Sequence, residues 1–485
     1  MRVTLKNYGF ITKLSIGILL SLASNLINPF SLDPIAARGV AVAVLMVVWW
    51  VTEVLPMPVV ALLPLILLPL LGISQIDEVA KAYSNPVIFL FMGGFMIGLA
   101  IEKWKLHKRI ALQIVKRTGT SGDRIILGFI ISTGFMSMWL SNTATTMMMF
   151  PIAMSVIAVM RENQVHTKGL MNFSLVLMLV IAYASNLGGI ATIIGTPPNA
   201  AFVAYISKRY NYTVQFIDWM LLCTPVAIVM VLCMYFILTK WLFRNDIKHS
   251  PETSALIHEE LINLGRLTKP EKRVLLIFSI TALLWITKDL INQLHLFRFD
   301  DNMIAIIGAL ALFATPSGEK DEKTKMLLEW KDTSKMAWGI LLLFGGGIAL
   351  ASGLEKVGVM QQIGNWLAGY SHTGTPFLIF VIIVISIFLS ELMSNVAQVI
   401  VLAPVLAALA DALNLDPLLL GIPMTLAASA ASMLPMGTPP NAIVFSSGYI
   451  RMKDMLKAGF VINILGIVII WLFSILILPL IMNYR

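Results

Sequence analysis

Two polar words are each written twice in an otherwise apolar chain. Ser141-Asn142-Thr143 has a partner in Ser394-Asn395-Val396, and Gly195-Thr196-Pro197-Pro198-Asn199-Ala200 recurs at Gly437–Ala442. A helix that starts at Ser-Asn presents free backbone N–H groups and the positive end of its dipole, a natural seat for a carboxylate, sulfate or phosphate. Asn142 adds an amide that donates to an anion or offers its oxygen to a cation, and Thr143 adds a hydroxyl. Gly-Thr-Pro-Pro-Asn breaks a helix, because proline lacks the N–H and glycine tolerates unusual dihedrals. The break frees carbonyls for a hard cation such as Na⁺, with further oxygens on Thr196, Asn199, Thr438 and Asn441. Ser137 and Ser390 stand four residues before Ser141 and Ser394, one turn away on the same face. Taken singly, each feature has a plain structural reading: a helix cap, a proline kink, a serine bonded to its own helix. The duplication favours a site.

No Lys, Arg or His lies within these words. An anion there would meet dipoles and no fixed positive side chain, so bound cations would supply the missing charge. Glu391 is the one acid near a tip, either a cation partner or a structural residue. The six histidines, His107, His166, His249, His258, His295 and His372, fall in loops or span ends and read as solvated. No Ser/His pair, HExxH or paired intramembrane carboxylates suggest an enzyme, and no Cys/His cluster suggests a metal or haem centre. Cys223 and Cys233, ten residues apart on one apolar segment, would be separated by ~15 Å along a helix, too far for an intrachain disulfide.

The elements that must position these words are membrane helices. Of 485 residues 58% are hydrophobic and 13% charged, against roughly 25% charge in soluble domains. The formal charge of +9 gathers in loops, where it sets topology rather than binding nucleic acid. Spans are expected at about 14–30, 36–55, 58–73, 85–102, 172–207, 216–242, 274–292, 302–316, 336–354, 416–447 and 457–482. The basic segment Met1–Lys13 precedes a retained first span rather than a cleaved signal. The stretches 124–160 and 376–411 carry Ser-Asn near their middles. Irregular backbone at mid-depth survives only inside protein or beside a wet cavity, so both read as re-entrant helical hairpins with the words at their tips. Seven Lys/Arg in Lys103–Arg124 and seven more in Lys240–Arg273 fall on the side of the N-terminus. The N-terminus is therefore expected in the cytoplasm and the C-terminus outside. The loop 245–271 is expected to hold no core of its own. Asn211-Tyr212-Thr213 forms a glycosylation triplet on the outer side, of a kind common by chance.

The repeat extends beyond the words. Phe91-Met92-Gly93-Gly94 matches Phe344-Gly345-Gly346-Gly347, Glu102-Lys103 matches Glu355-Lys356, and Ser137 matches Ser390, all offset by 253 residues. Five spans separate each element from its mate, an odd number, so the halves are inverted. Inverted repeats with broken helices at mid-membrane point to a secondary transporter's site. The fold class read from this is an all-α polytopic membrane protein, an inverted repeat of about 11 transmembrane helices plus two re-entrant hairpins, with discontinuous helices at the site. An anion channel is the alternative from a different class, because duplicated broken helices also build pores.

These four linked words resemble those of the divalent anion:sodium symporter family, and the resemblance runs through nearly the whole chain. It implies a homodimer with a fixed scaffold and a moving transport part working by an elevator-like motion. The chain is expected to divide into scaffold helices 1–4 at 1–102, a transport part with the first hairpin and broken helix 5 at 103–215, helix 6 and scaffold helices 7–9 with a cytoplasmic loop 243–273 at 216–355, and a transport part with the second hairpin, broken helix 10 and helix 11 at 356–485. The resemblance implies Na⁺ as coupling ion and C4 dicarboxylates, citrate or sulfate as substrate, with some members exchanging anions instead; the short termini and small extramembrane mass point to a bacterial inner membrane. One Na⁺ would lie around Ser137, Ser141, Asn142 and Gly195; a second around Ser390, the Met393 carbonyl, Asn395 and Gly437. The anion would sit at Asn142, Thr143, Asn395 and Val396, near Thr196, Pro197, Thr438 and Pro439. Val396 departs from the family's threonine and costs one hydroxyl donor. Gln398 replaces the counterpart of Thr145 beside the second cation site.

Overall fold

A computed structural model describes residues 2–28, 32–119, 121–163, 168–245, 247, 251–295, 298–318, 326–369 and 374–482. Among them ten helices are long and apolar enough to cross a membrane, and the only β pairing is an isolated bridge between Pro316 and Met326. The two hairpins form where the sequence puts them. Gly122–Ser137 and Asn142–Asn163 make the first; Thr375–Ser390 and Asn395–Ala412 make the second. The two long spans that carry the proline words are broken: Lys168–Gly189 resumes as Pro197–Tyr210, and Pro417–Ser429 resumes as Pro439–Phe445.

The halves pack about a pseudo-twofold axis. The first arm of each hairpin lies along the first half of its own broken helix, while its second arm packs on the second half of the other broken helix. Phe91 and its repeat mate Phe344 meet edge-on, ring centroids 5.3 Å apart, as residues on the pseudo-twofold axis must. The duplicated glycines explain themselves by close approach. A methyl at Gly93 would fall 2.6 Å from the Ala305 carbonyl oxygen, and one at Gly346 would fall 2.2 Å from that of Ala61. Small residues let membrane helices pack at such distances.

The span expected at 58–73 is instead two short helices, Met57–Val60 and Leu63–Leu70. Pro58, Pro64 and Pro69 lie within them and deny the backbone the N–H groups of a continuous ladder. The expected loops also hold helices: Ile76–Ala82, Leu106–Thr118, Pro251–Asn263 and Val359–Ala368. Helix Leu106–Thr118 buries Leu106, Ala111, Leu112 and Val115 together with Arg109. The Arg109 guanidinium donates to both carboxylate oxygens of Glu271 at 2.8 and 3.0 Å and to the carbonyls of Leu264 and Gly265. One side chain thereby ties the C-terminal end of Pro251–Asn263 to the start of Lys269–Gln293.

His107 corrects the expectation of solvated histidines. It is 9% exposed, with Nδ1 3.1 Å from the Ile101 carbonyl oxygen. Burial pushes the imidazole below its ordinary pKa, so the neutral ring donates Nδ1–H to that carbonyl. His258 and His295 are exposed, and His166, His249 and His372 lie outside the described residues.

Candidate functional site

Four helices begin at the two tips and two breaks: Asn142–Asn163, Asn395–Ala412, Pro197–Tyr210 and Pro439–Phe445. At the tips the first turns present backbone N–H groups that have no helical acceptor; at the breaks each helix opens with two prolines that carry no N–H, and the N–H groups of Asn199 and Asn441 are held by Thr196 O and Thr438 Oγ1, so the breaks contribute the positive ends of the peptide dipoles. Ser141, Asn142 and Thr143 are half-buried, as are Met393, Ser394, Asn395 and Val396. Thr196 and Thr438 are buried in extended conformation just before their helices, at 3% and 5% exposure. Pro197 is half-buried and Pro439 exposed.

At the first tip, oxygens converge. Ser137 Oγ lies 2.7 Å from Asn142 Oδ1 and 2.7 Å from the Ser185 carbonyl oxygen. A hydroxyl carries one proton, so it satisfies only one of these acceptors. The same amide corner is 3.0 Å from the Ser185 carbonyl and 3.2 Å from that of Gly195. Turned with its nitrogen to this corner, the amide has two protons for the three oxygens around it; turned with its oxygen there, it joins the two carbonyls as an acceptor, and the Ser137 hydroxyl is the single donor in a ring of oxygens. A ring of that kind suits a small hard cation. Two more carbonyls stand close by: a methyl at Gly195 would fall 2.4 Å from Gly189 O and 2.9 Å from Ser137 O. Asn199 Oδ1 is buried without a partner among the described residues. Of the four residues expected there, Ser137, Asn142 and Gly195 converge, and their oxygens suit an Na⁺-sized ion, whereas the Ser141 hydroxyl accepts from Ala144 N–H in its own helix cap.

The second tip repeats the pattern. Ser390 Oγ lies 2.6 Å from Asn395 Oδ1 and 2.5 Å from the Ala428 carbonyl oxygen, again two acceptors for one proton. Around Gly437 the chemistry differs. A methyl there would meet Glu391 Oε2 at 3.0 Å and Leu434 O at 3.3 Å. Glu391, 3% exposed, accepts from the backbone N–H groups of Ser432, Met433 and Leu434 at 2.7–2.9 Å and from Asn463 Nδ2 at 2.8 Å. The carboxylate holds the second break open while it places a full negative charge beside it.

The first break is held by neutral groups. Thr192 Oγ1 donates to the Met138 carbonyl at 2.5 Å and accepts from Gly195 N at 3.0 Å. Asn199 Nδ2 donates to the carbonyl of Thr192 at 2.8 Å. The first tip then reaches the second break through Asn186. Asn142 Nδ2 is 3.4 Å from Asn186 Oδ1, and Asn186 Nδ2 donates to Thr438 Oγ1 at 3.1 Å. Sequence reasoning missed Ser185, Asn186 and Asn463. A signal for two of them was present: Ser185-Asn186 repeats the Ser-Asn pair of the tips inside a span otherwise almost wholly apolar, though Ser24-Asn25 and Ser84-Asn85 repeat it too.

Gln398 closes on the opposite arm of its hairpin, where Nε2 donates to Ser386 Oγ at 2.6 Å and to the Ser386 carbonyl at 3.0 Å. Neither cysteine is bridged.

Comparison with known proteins meets this geometry from the other side. A family model described as the sodium:sulfate symporter transmembrane region matches residues 10–482. A protein of Staphylococcus saprophyticus named sodium-dependent dicarboxylate transporter SdcS is 38% identical over 481 residues, covering 98% of this chain and 92% of that protein. The protein of the same name from Staphylococcus aureus is 36% identical over 448 residues, covering 91% and 86%. Among solved structures, the YdaH transporter of Alcanivorax borkumensis superposes with a TM-score of 0.55 at 10% identity over 82% of this chain and 86% of its own, a likeness of fold. A match along almost the entire chain, joined to mirrored hairpins that hold matching oxygen clusters, makes this a multi-pass membrane protein that belongs to the sodium:sulfate symporter family, the divalent anion:sodium symporters.

Proposed function

We propose that the chain imports C4 dicarboxylates such as succinate, fumarate or malate, coupled to the entry of Na⁺. One observation carries the reading: the same oxygen cluster, a serine hydroxyl, an asparagine amide and a broken-helix carbonyl, is built twice, once at each tip. In this reading Ser137, Ser141, Asn142 and Gly195 hold one Na⁺, and Ser390, Met393, Asn395 and Gly437 hold the other. Asn142, Thr143, Asn395 and Val396 receive the anion, with Thr196, Pro197, Thr438 and Pro439 around it. The bound cations offset the missing positive side chains, so the anion binds weakly until Na⁺ is present. The names of the staphylococcal relatives support dicarboxylate and sodium as the pair carried.

The hairpins and broken helices form the transport part, which slides as a body against a scaffold of the remaining spans, in a homodimer as the family resemblance implies. The basic segment Lys103–Arg124 lies in the cytoplasm by the positive-inside rule, which places the N-terminus inside and the C-terminus outside a bacterial inner membrane.

The test is uptake of radiolabelled succinate into proteoliposomes, with and without an imposed inward Na⁺ gradient. Gradient-driven accumulation is expected, and Asn142→Ala or Asn395→Ala abolishes it while the purified protein keeps its size-exclusion profile. Full activity in both variants refutes the site. Uptake that ignores Na⁺ and needs an internal anion makes the protein an exchanger, and unsaturable flux makes it a channel. Sulfate, named in the family's description, is the competitor to include.

A further inference from the structure

A cavity of about 320 Å³ lies away from both tips, where helix Ile76–Ala82, the C-terminal end of Trp338–Lys356 and the C-terminal end of Pro197–Tyr210 meet. Its size falls within the roughly 300–1,000 Å³ of small-ligand sites. The proposed topology puts all three segments on the outer face. Ser74, Glu78, Lys81, Lys208, Ser352 and Lys356 line it.

The charges there do not cancel. Lys356 Nζ is 2.5 Å from Glu78 Oε2, which uses up the one lining carboxylate. The neighbouring acids are engaged as well: Arg209 pairs with Glu355 and with Asp411, each at 2.6 Å. Asp77, on the same short helix as Lys81, does not line the cavity. Lys81 and Lys208 are exposed and make no ion pair with a described carboxylate. Two uncompensated ammonium groups therefore face one cavity, with two serine hydroxyls as further donors. They come from different bodies in the reading above, Lys81 from the scaffold and Lys208 from the transport part.

We propose that this cavity is an outer capture site for a small dianion, in which Lys81 and Lys208 each take one carboxylate of a dicarboxylate before it moves to the tips. The substrate class rests on the reading under Proposed function. A cleft with one sign of charge concentrates counter-ions and speeds their arrival, and that advantage fades as salt screens it. The transport site carries no fixed cation of its own, so collecting a dianion at the entrance serves the chain most when external substrate is scarce.

The experiment compares wild type with the double variant Lys81→Gln/Lys208→Gln in phosphatidylcholine proteoliposomes, measuring initial rates of Na⁺-driven succinate uptake at low and high ionic strength. At low ionic strength KM is expected to rise about tenfold in the variant, with kcat and the Na⁺ concentration for half-activation unchanged. The gap closes in high salt, and Lys81→Arg/Lys208→Arg keeps the wild-type KM. Na⁺-driven uptake in wild type with equal KM in the Gln variant overturns the capture site and leaves the transport function standing. A gap that appears only when anionic lipid is added also overturns it, because the lysines then hold a headgroup. A wild type with no succinate uptake overturns both readings. A fall in kcat without a change in KM assigns the lysines to packing.

Discussion

The two Ser-Asn tips share a residue pattern and a hydrogen-bond pattern, yet their surroundings have diverged. At the first, the break is tethered by the Thr192 hydroxyl and the Asn199 amide, and the nearby oxygens belong to neutral groups. At the second, the Asn441 amide keeps the matching bond to the Leu434 carbonyl at 3.0 Å, while the Glu391 carboxylate replaces the threonine hydroxyl and stands 3.0 Å from where a Gly437 methyl would lie. The first tip is also braced. Trp139 meets Phe278 edge-on at 5.0 Å and Phe216 at 6.2 Å, and Phe216 stacks on Trp285 at 4.5 Å. Its mate at the second tip, Leu392, is 70% exposed. Duplication thus kept the oxygen cluster and left the supports free to differ. If each cluster holds a cation as proposed, the two need not bind equally, since a carboxylate beside one of them changes its electrostatics.

Alanine at the two break glycines tests that contrast most severely. At Gly195 the added methyl meets the backbone oxygens of Gly189 and Ser137 at 2.4 and 2.9 Å. Uptake by Gly195→Ala should fall at least ~100-fold, because misplacing a site by about an ångström costs that much. At Gly437 the first obstacle is a carboxylate oxygen at 3.0 Å, so Gly437→Ala should retain measurable uptake at raised Na⁺. Equal loss at both positions, read in the same proteoliposome assay, breaks the contrast.

Glu391→Gln sharpens it. An amide has one acceptor oxygen where the carboxylate has two, so at least one of the four N–H donors around Glu391 loses its partner. A buried unsatisfied group costs about 1–3 kcal/mol, so the unfolding temperature should drop and the Na⁺ concentration for half-activation should rise. A variant with unchanged melting and unchanged Na⁺ activation denies the carboxylate both roles. The smallest effect is expected from Val396→Thr, which restores the hydroxyl present at Thr143. A net hydrogen bond of about 0.5–1.5 kcal/mol should shift the succinate-to-sulfate preference by roughly threefold, with protein yield unchanged. Competition uptake reads it directly, and an unaltered ratio removes this position from anion selection.

Much of the hairpin architecture was legible in residues 124–160 and 376–411, because polar words inside apolar stretches have few tolerable places in a bilayer. Helix Leu106–Thr118 was not legible as structure. Its basic residues interleave with the apolar ones, and only contact with Pro251–Asn263 and Lys269–Gln293 shows that Arg109 is buried and why. The span expected at 58–73 looked continuous by hydropathy, while its prolines divided it.

At the site, the sequence alone determined which residues stand at the tips and breaks, since repetition of Ser-Asn and Pro-Pro-Asn is a property of the chain. It left Glu391 open between cation partner and structural residue, and Asn186 went unnoticed. Those roles depend on which backbone N–H groups a broken helix leaves unpaired, and on which side chain folding brings within about 3 Å of them. Only the tertiary structure decides that, because Ser432 and Glu391 are 41 residues apart, and Asn186 and Thr438 are 252 apart.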